Sequence, residues 1–487
     1  MDDRARIAKL LRRFCLGVQT SELDRLTKLG FEKAKAEILN PERTDEKFPI
    51  SFWEFAKQDD GKIESNSFQV RPWWAVRMLM TKRPSQEKLT LFWHDHFAVD
   101  VEKIYEAPIM VEYLDVLRSH GMGKFRDLLM AVFKQGALLA YLDNHTSNRI
   151  HPNENFAREA LELFSMGEGN YSEKDVQELA RAFTGWSFHY AGFGLEIPYE
   201  KLRERMNSNK MAVANVCYVP ALHDDGEKTI LGKTGKFGLE EAVDLLAAHP
   251  ATAKTITEKL WNFYAGFPPS AKVQENLISA WKKSDGEIRS VLAAILNQPE
   301  FWTPEHERSV TKSPVDWSVG LFRSFDLGDT ILQLRGNPKD EFTAVKKEVR
   351  EAGNGLTYLM DLQGLRLLFP PDVGGWTWGS AWLTTENIAQ RLKHSDVIFW
   401  GGGNDRPFAM MLANKIKQQG KSGSVEEIVD AVLEHFDVPE IGERKQALFD
   451  LATKRGGVKA LEKPDSAAYL FAQLSRNIFA IPEFQLC

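Results

Sequence analysis

The sequence predicts an all-α protein, a large multi-helix array with a small β-hairpin insertion at about residues 190–235. Three observations predict it. Through most of the 487 residues, apolar side chains recur with the 3.6-residue period of a helix. Capping residues stand where several of these runs begin, and glycine or proline where others stop. Only 187–235 departs from the pattern, with glycine, aromatic and β-branched residues around the turn dipeptide Asp225-Gly226.

In chain order, residues 4–14, 20–40 and 70–82 have amphipathic helical spacing. Ser85, just after Pro84, is the expected cap of a helix running through Phe97. Helices over 105–119 and 123–141 lead to a polar loop, Asp143 to Pro152. A helix over 153–165 follows, then one over 173–184 capped by Ser172 and stopped at Gly185. Beyond the hairpin, helices are expected at 238–248, 250–265, 271–284, 286–297, 312–326 and 341–362. The run FPPDVGGWTWGSAW at 369–382 is a loop, and GGGN at 401–404 marks a boundary. The expected regions are therefore 1–189, 190–235, 236–398 and 399–487.

Composition narrows the function classes. The chain is 43% hydrophobic and 27% charged, with a net charge of −6 and no basic stripe, so a nucleic-acid partner is not expected. Cys15, Cys217 and Cys487 make neither a disulfide framework nor a Cys-x-x-Cys site. The start, MDDRARIAKLLRRFCLG, lacks the apolar core of a signal peptide, and no apolar run is long enough to span a membrane. A cytoplasmic location is the expectation.

The most informative stretch is HPNENFAREALELFSMG at 151–167. On an unbroken helix, Glu154, Asn155, Arg158, Glu159, Glu162 and Ser165 fill one arc, and apolar residues fill the other. Glu154, Arg158 and Glu162, four apart, fit an ion-pair ladder worth only a few tenths of a kcal/mol per pair. Glu159 and Glu162 could instead converge on a cation, as helical carboxylates do in bundle metal sites. A second cluster is Trp93-His94-Asp95-His96-Phe97. On a helix its two imidazoles point about 200° apart, so they share a centre only if the helix ends between them. Asp95 would then orient one ring. His223, beside the Asp225-Gly226 turn, suits the turn itself. GEKTILGKT at 226–234 has five residues between its glycines, so it is no phosphate loop.

These motifs occur in a fixed order: WHDHF at 93–97, YLDNHTSNRIHPNENFAREALELF at 141–164, GEGNYSEKDVQELARAFTGW at 167–186, HDDGEKTILGKTG at 223–235, KSPVDW at 312–317 and PPDVGGW at 370–376. In this the whole chain resembles the bacterial domain-of-unknown-function family 1800. The resemblance implies a mostly helical fold and supplies no activity. It also implies a partner, because such proteins are often encoded beside a sulfatase-like family, numbered 1501, with twin-arginine export signals. Periplasmic location by co-export is then the alternative. Some relatives carry histidine where this chain has Phe164, which falls on the apolar arc as a packing position.

Two functions compete on this reading. In the first, an enzyme binds a divalent metal (Zn, Fe or Mn) through His94, His96, Glu159 and Glu162. Asp95, Glu154 and Arg158 are its candidate catalytic residues, and Asn155 and His223 support it. In the second, the same residues form a buried structural network, and the protein is a scaffold or chaperone-like partner of the sulfatase-like neighbour. A third possibility is glycan binding by Trp376, Trp378 and Trp382.

Overall fold

A computed structural model describes residues 2–190, 214–336, 343–401, 406–438 and 441–487. Helices dominate, and the only strands among the described residues form two antiparallel pairs. The chain is thus all-α with a small β insertion. No helix among the described residues is long and apolar enough to cross a membrane.

Helix boundaries follow local chemistry. The expected helix 20–40 is two, Thr20–Leu29 and Phe31–Leu39, because Gly30 takes φ +88° between them. The run 123–141 also splits, into Phe125–Phe133 and Gly136–Tyr141, where Gln135 is extended. Ser85 is not a cap. Pro84 opens that helix, Pro84–His96, and the Ser85 hydroxyl donates to the Ile38 carbonyl. Ser172 does cap Glu173–Ala182, in a reciprocal box with Asp175.

In the insertion, β1 (Trp186–Tyr190) pairs with β2 (Ala214–Tyr218), Trp186 opposite Tyr218. Residues 191–213, between them, lie outside the described residues. The tight hairpin turn is not Asp225-Gly226. It is Leu231-Gly232, both at positive φ, joining β3 (Lys228–Ile230) to β4 (Lys233–Gly235). Asp225-Gly226 precedes β3, where the Asp224 carboxylate accepts the Gly226 N–H and pairs with Arg181. The Leu231 N–H donates to Asp175 and the Thr229 N–H to Glu178, so this small hairpin is pinned to Glu173–Ala182.

Among the described residues, two hydrophobic cores organise the helices. The larger draws on residues from Ile7 to Trp382, and the smaller on Trp317, Leu321 and Phe325 with residues from Ile398 to Phe484. Helix Pro314–Ser324 serves both, turning Val315 and Val319 into the first and Trp317 and Leu321 into the second. Within the larger core, Gly353 lets helix Lys347–Asp361 lie against Val70–Met80. A Cβ there would stand 2.6 Å from the Pro72 carbonyl oxygen.

Candidate functional site

The last turn of Pro84–His96 carries His94, Asp95 and His96 into the larger core. As the helical spacing requires, the two imidazoles point apart. His94 is fully buried between Trp74, Tyr113 and Trp376, with the Trp376 ring stacked 5.6 Å away. Neither ring nitrogen has a partner in hydrogen-bond geometry among the described residues, although the Val99 main chain lies nearby. Burial pushes its pKa down to about 3, so the ring is neutral. His96 faces the other way. Its Nε2 lies 3.2 Å from the Phe164 carbonyl oxygen and its Nδ1 3.2 Å from Lys259 Nζ. That arrangement assigns an Nε2–H donor and an Nδ1 acceptor for the lysine ammonium.

Asp95 occupies the direction between the two rings and reaches the loop expected at 369–382. Its Oδ1 accepts the Trp376 N–H and its Oδ2 the Trp378 indole N–H, both at 2.6 Å. Burial outweighs these two donors and the nearby Lys259 charge, and raises the carboxyl pKa to about 7. Lys259, on Pro250–Ala265, is pushed below the ordinary lysine value, mainly by burial. Its ammonium donates to the Leu163 carbonyl at 3.1 Å as well as to His96, and forms no ion pair with Asp95.

The acceptors Leu163 and Phe164 belong to the carboxylate helix, which is not the unbroken helix the spacing implied. It is α-helical over Glu154–Leu161 and π-helical over Glu162–Met166, ending at Gly167 with φ +80°. The wider turn shifts the phase by part of a residue spacing. Ser165, expected on the polar arc, is therefore fully buried and donates back to the Ala160 carbonyl. The wider turn also leaves carbonyls of Leu163, Phe164 and Met166 open to Lys259, His96 and Thr255. Phe164 packs against His96 and Phe97, a core position.

The charged face of this helix forms no ladder. Glu154 and Asn155 are exposed. Arg158 pairs outward with Glu173, and Glu162 accepts the Tyr171 hydroxyl at 2.6 Å. Glu159 accepts no hydrogen bond from the described residues, and burial, then Glu162 and Asp372, raise its pKa. Neither Asn155 nor Glu159 is joined to the HDH turn. Exposed pairs of this kind contribute ~0–1 kcal/mol. Arg158→Ala should accordingly move the denaturation midpoint little, a result that urea titration would check.

The four expected metal ligands do not come together. His94 and His96 diverge, His96 is engaged at both nitrogens, and Glu159 and Glu162 lie on the outer face. Among the described residues, no group of three or more His, Cys, Asp or Glu side chains is placed to hold a metal ion. His223 serves the turn, its Nδ1 3.0 Å from the Thr184 carbonyl oxygen. The tryptophans make no open stacking platform either. Trp376 and Trp382 are buried, while Trp378 packs edge-on to Phe263 and spends its indole N–H on Asp95.

A family model described as a protein of unknown function, DUF1800, matches residues 9–486. The chain belongs to that family. No curated protein and no solved structure matches it.

What this DUF1800 chain assembles is a set of contacts between motifs. Asp95 of WHDHF fastens PPDVGGW, and His96 with Lys259 fastens the π-turn. Lys259 was missed by motif reading, yet it left a signal. It stands at the spacing i+3 from Ile256 and i−4 from Phe263, on the inward stripe of its helix, where a lysine is out of place. Asp372 and Tyr171 carried no such mark, since nothing local distinguishes them from ordinary loop residues.

Proposed function

We propose that this DUF1800 protein is an enzyme of the acid–base type, in which Asp95 transfers a proton and Lys259 stabilises negative charge beside it. The observation that carries this reading is a carboxyl group held near pH 7 next to an ammonium with which it makes no ion pair. Proton transfer is most effective when the group titrates near the working pH. Burial beside a specific charge is how active sites tune such groups. Both side chains keep some solvent contact, as a group that meets substrate must. His96 is then a positioning residue that holds the ammonium through Nδ1. Glu159, Glu162 and Asp372 add negative charge on the adjoining helix and loop, which favours a neutral or cationic substrate over a phosphorylated one.

A panel of chromogenic esters, amides and glycosides tests the reading. A turnover that follows one ionisation near pH 7, and is lost in a folded Asp95→Asn variant, supports it. Turnover unchanged in that variant contradicts it.

The completeness of the same network favours a second reading. Both Asp95 oxygens, both His96 nitrogens and the Lys259 ammonium are already engaged by protein groups. On that reading the motifs only fix the packing. The protein then serves as a scaffold for a sulfatase-like partner, and co-export with that partner would place it in the periplasm rather than the cytoplasm. Asp95→Asn separates the two. The enzyme reading expects lost turnover in a folded protein. The scaffold reading expects no turnover in the wild type either, with a lowered Tm in the variant as the Trp376 and Trp378 contacts weaken.

A further inference from the structure

A different part of the molecule holds a lysine ammonium that no described residue pairs with directly. Between the first helix, Asp3–Phe14, and the smaller core lies a cavity of about 40 Å³. One water needs only ~10–15 Å³ measured this way, so the space holds more than a single water. Arg12, Lys312, Asp316, His435, Asp437 and Cys487 are among its lining residues. Gly17 and Gly320 close one wall, where a Cβ on Gly17 would come within 2.7 Å of the Gly320 Cα.

The lining carboxylates are already taken. Asp316 pairs with Lys88 and closes the Ser313 capping box, and Asp437 pairs with Arg12 and Arg308. Lys312 is left over. Its ammonium forms no hydrogen bond or ion pair with the described residues. The Phe484 ring lies 4.1 Å away, and from further off Asp437 and Cys487 attract the ammonium while Arg308 and Arg391 repel it. Burial lowers its pKa only to about 8, so it is mostly protonated at neutral pH. The surroundings deepen the imbalance. Arg391 donates to the side-chain oxygens of Gln363 and Gln485 and to the Lys312 carbonyl, and Arg13 to three carbonyls and Ser309 Oγ, with no carboxylate among these partners. A partly buried cation that no carboxylate pairs with directly is poorly compensated, and an anion placed beside it would lower that cost.

We propose that this cavity binds a small inorganic anion on the Lys312 ammonium, clasping the first helix to the smaller core. The site is independent of Asp95 and of the reaction proposed there. It also differs from the surface groove near Lys124 and Asp285, where exposed ion pairs already balance the charge.

The test uses the full chain at constant ionic strength, with chloride, bromide, phosphate and sulfate titrated in turn. A saturable rise in Tm with one of these anions, present in the wild type and Lys312→Arg but absent in Lys312→Met, is the expected result. Crystals soaked in bromide should show anomalous density beside Lys312 Nζ, which keeps the proposal testable even if Lys312→Met fails to fold. Equal salt responses in wild type and Lys312→Met, or a cavity without bromide, would overturn it.

Discussion

Glu87→Gln is expected to destabilise the fold by about 3–5 kcal/mol, the scale set by removing one partner from a buried ion pair. The Glu87 carboxylate is 1% exposed and accepts from Arg118 Nε at 2.6 Å, Arg77 Nε at 2.7 Å and the Trp74 indole at 2.8 Å. Glutamine keeps the shape but leaves two guanidiniums buried against a neutral amide. The arginines and their hydrogen bonds prevail over burial and hold the carboxyl down at about 2. Because the folded value is depressed, the associated stability is present above the unfolded value of ~4.3 and is lost as pH falls through about 2. Across that window, about 3 kcal/mol should disappear in the wild type and not in Glu87→Gln. Urea denaturation at pH 7 and at several points below pH 5, followed by tryptophan fluorescence, would measure both effects.

Gly375→Ala should be comparably damaging, for a steric reason at the candidate site. Gly375 has φ +84°, and an added Cβ would stand 2.5 Å from the Asp95 carbonyl oxygen and closer still to its carboxylate. Flexible side-chain movement cannot relieve a clash with main chain. The loop must lift, and the hydrogen bonds from Trp376 and Trp378 to Asp95 go with it. Backbone strain of this kind costs ~1–3 kcal/mol by itself, and the lost anchoring adds to it. Gly379→Ala is the control. Gly379 also has positive φ (+75°) but nothing within 4 Å, so it should show the strain alone. The near-ultraviolet circular dichroism of the tryptophans should change for Gly375→Ala and stay native for Gly379→Ala.

The helical architecture was legible because amphipathic period and capping are local properties. Ser172 shows this, since its box with Asp175 lies within four residues. The hairpin turn was misplaced because two dipeptides compete there. Asp225-Gly226 carries the stronger turn chemistry, but β3 pairs with β4 across Leu231-Gly232, and the Asp175 and Glu178 carboxylates on the neighbouring helix hold the strand in that register.

The site was only half legible. Divergence of His94 and His96 followed from helical geometry alone, and the structure has that divergence. The carboxylate face was misread because a π-turn leaves no periodic signature. One widened turn moved Ser165 inward and opened the carbonyls that Lys259 and His96 now use. The true partners of Arg158 and Glu162, Glu173 and Tyr171, come from the following loop and helix start, which a single-helix projection does not contain. The Asp95 contacts cross 281 residues of chain to Trp376. No local pattern encodes a pairing at that separation.

The ionisation of Asp95 bears most directly on the proposed chemistry. Its folded pKa is raised, so the protonated form contributes stability below the unfolded value of ~3.9 that is lost as pH rises through about 7. Isotope-edited infrared spectroscopy of aspartate-labelled protein, with Asp95→Asn as the difference reference, would follow this carboxyl alone. The account predicts a midpoint close to 7. A midpoint below 4, the behaviour of an ordinary aspartate, would contradict it.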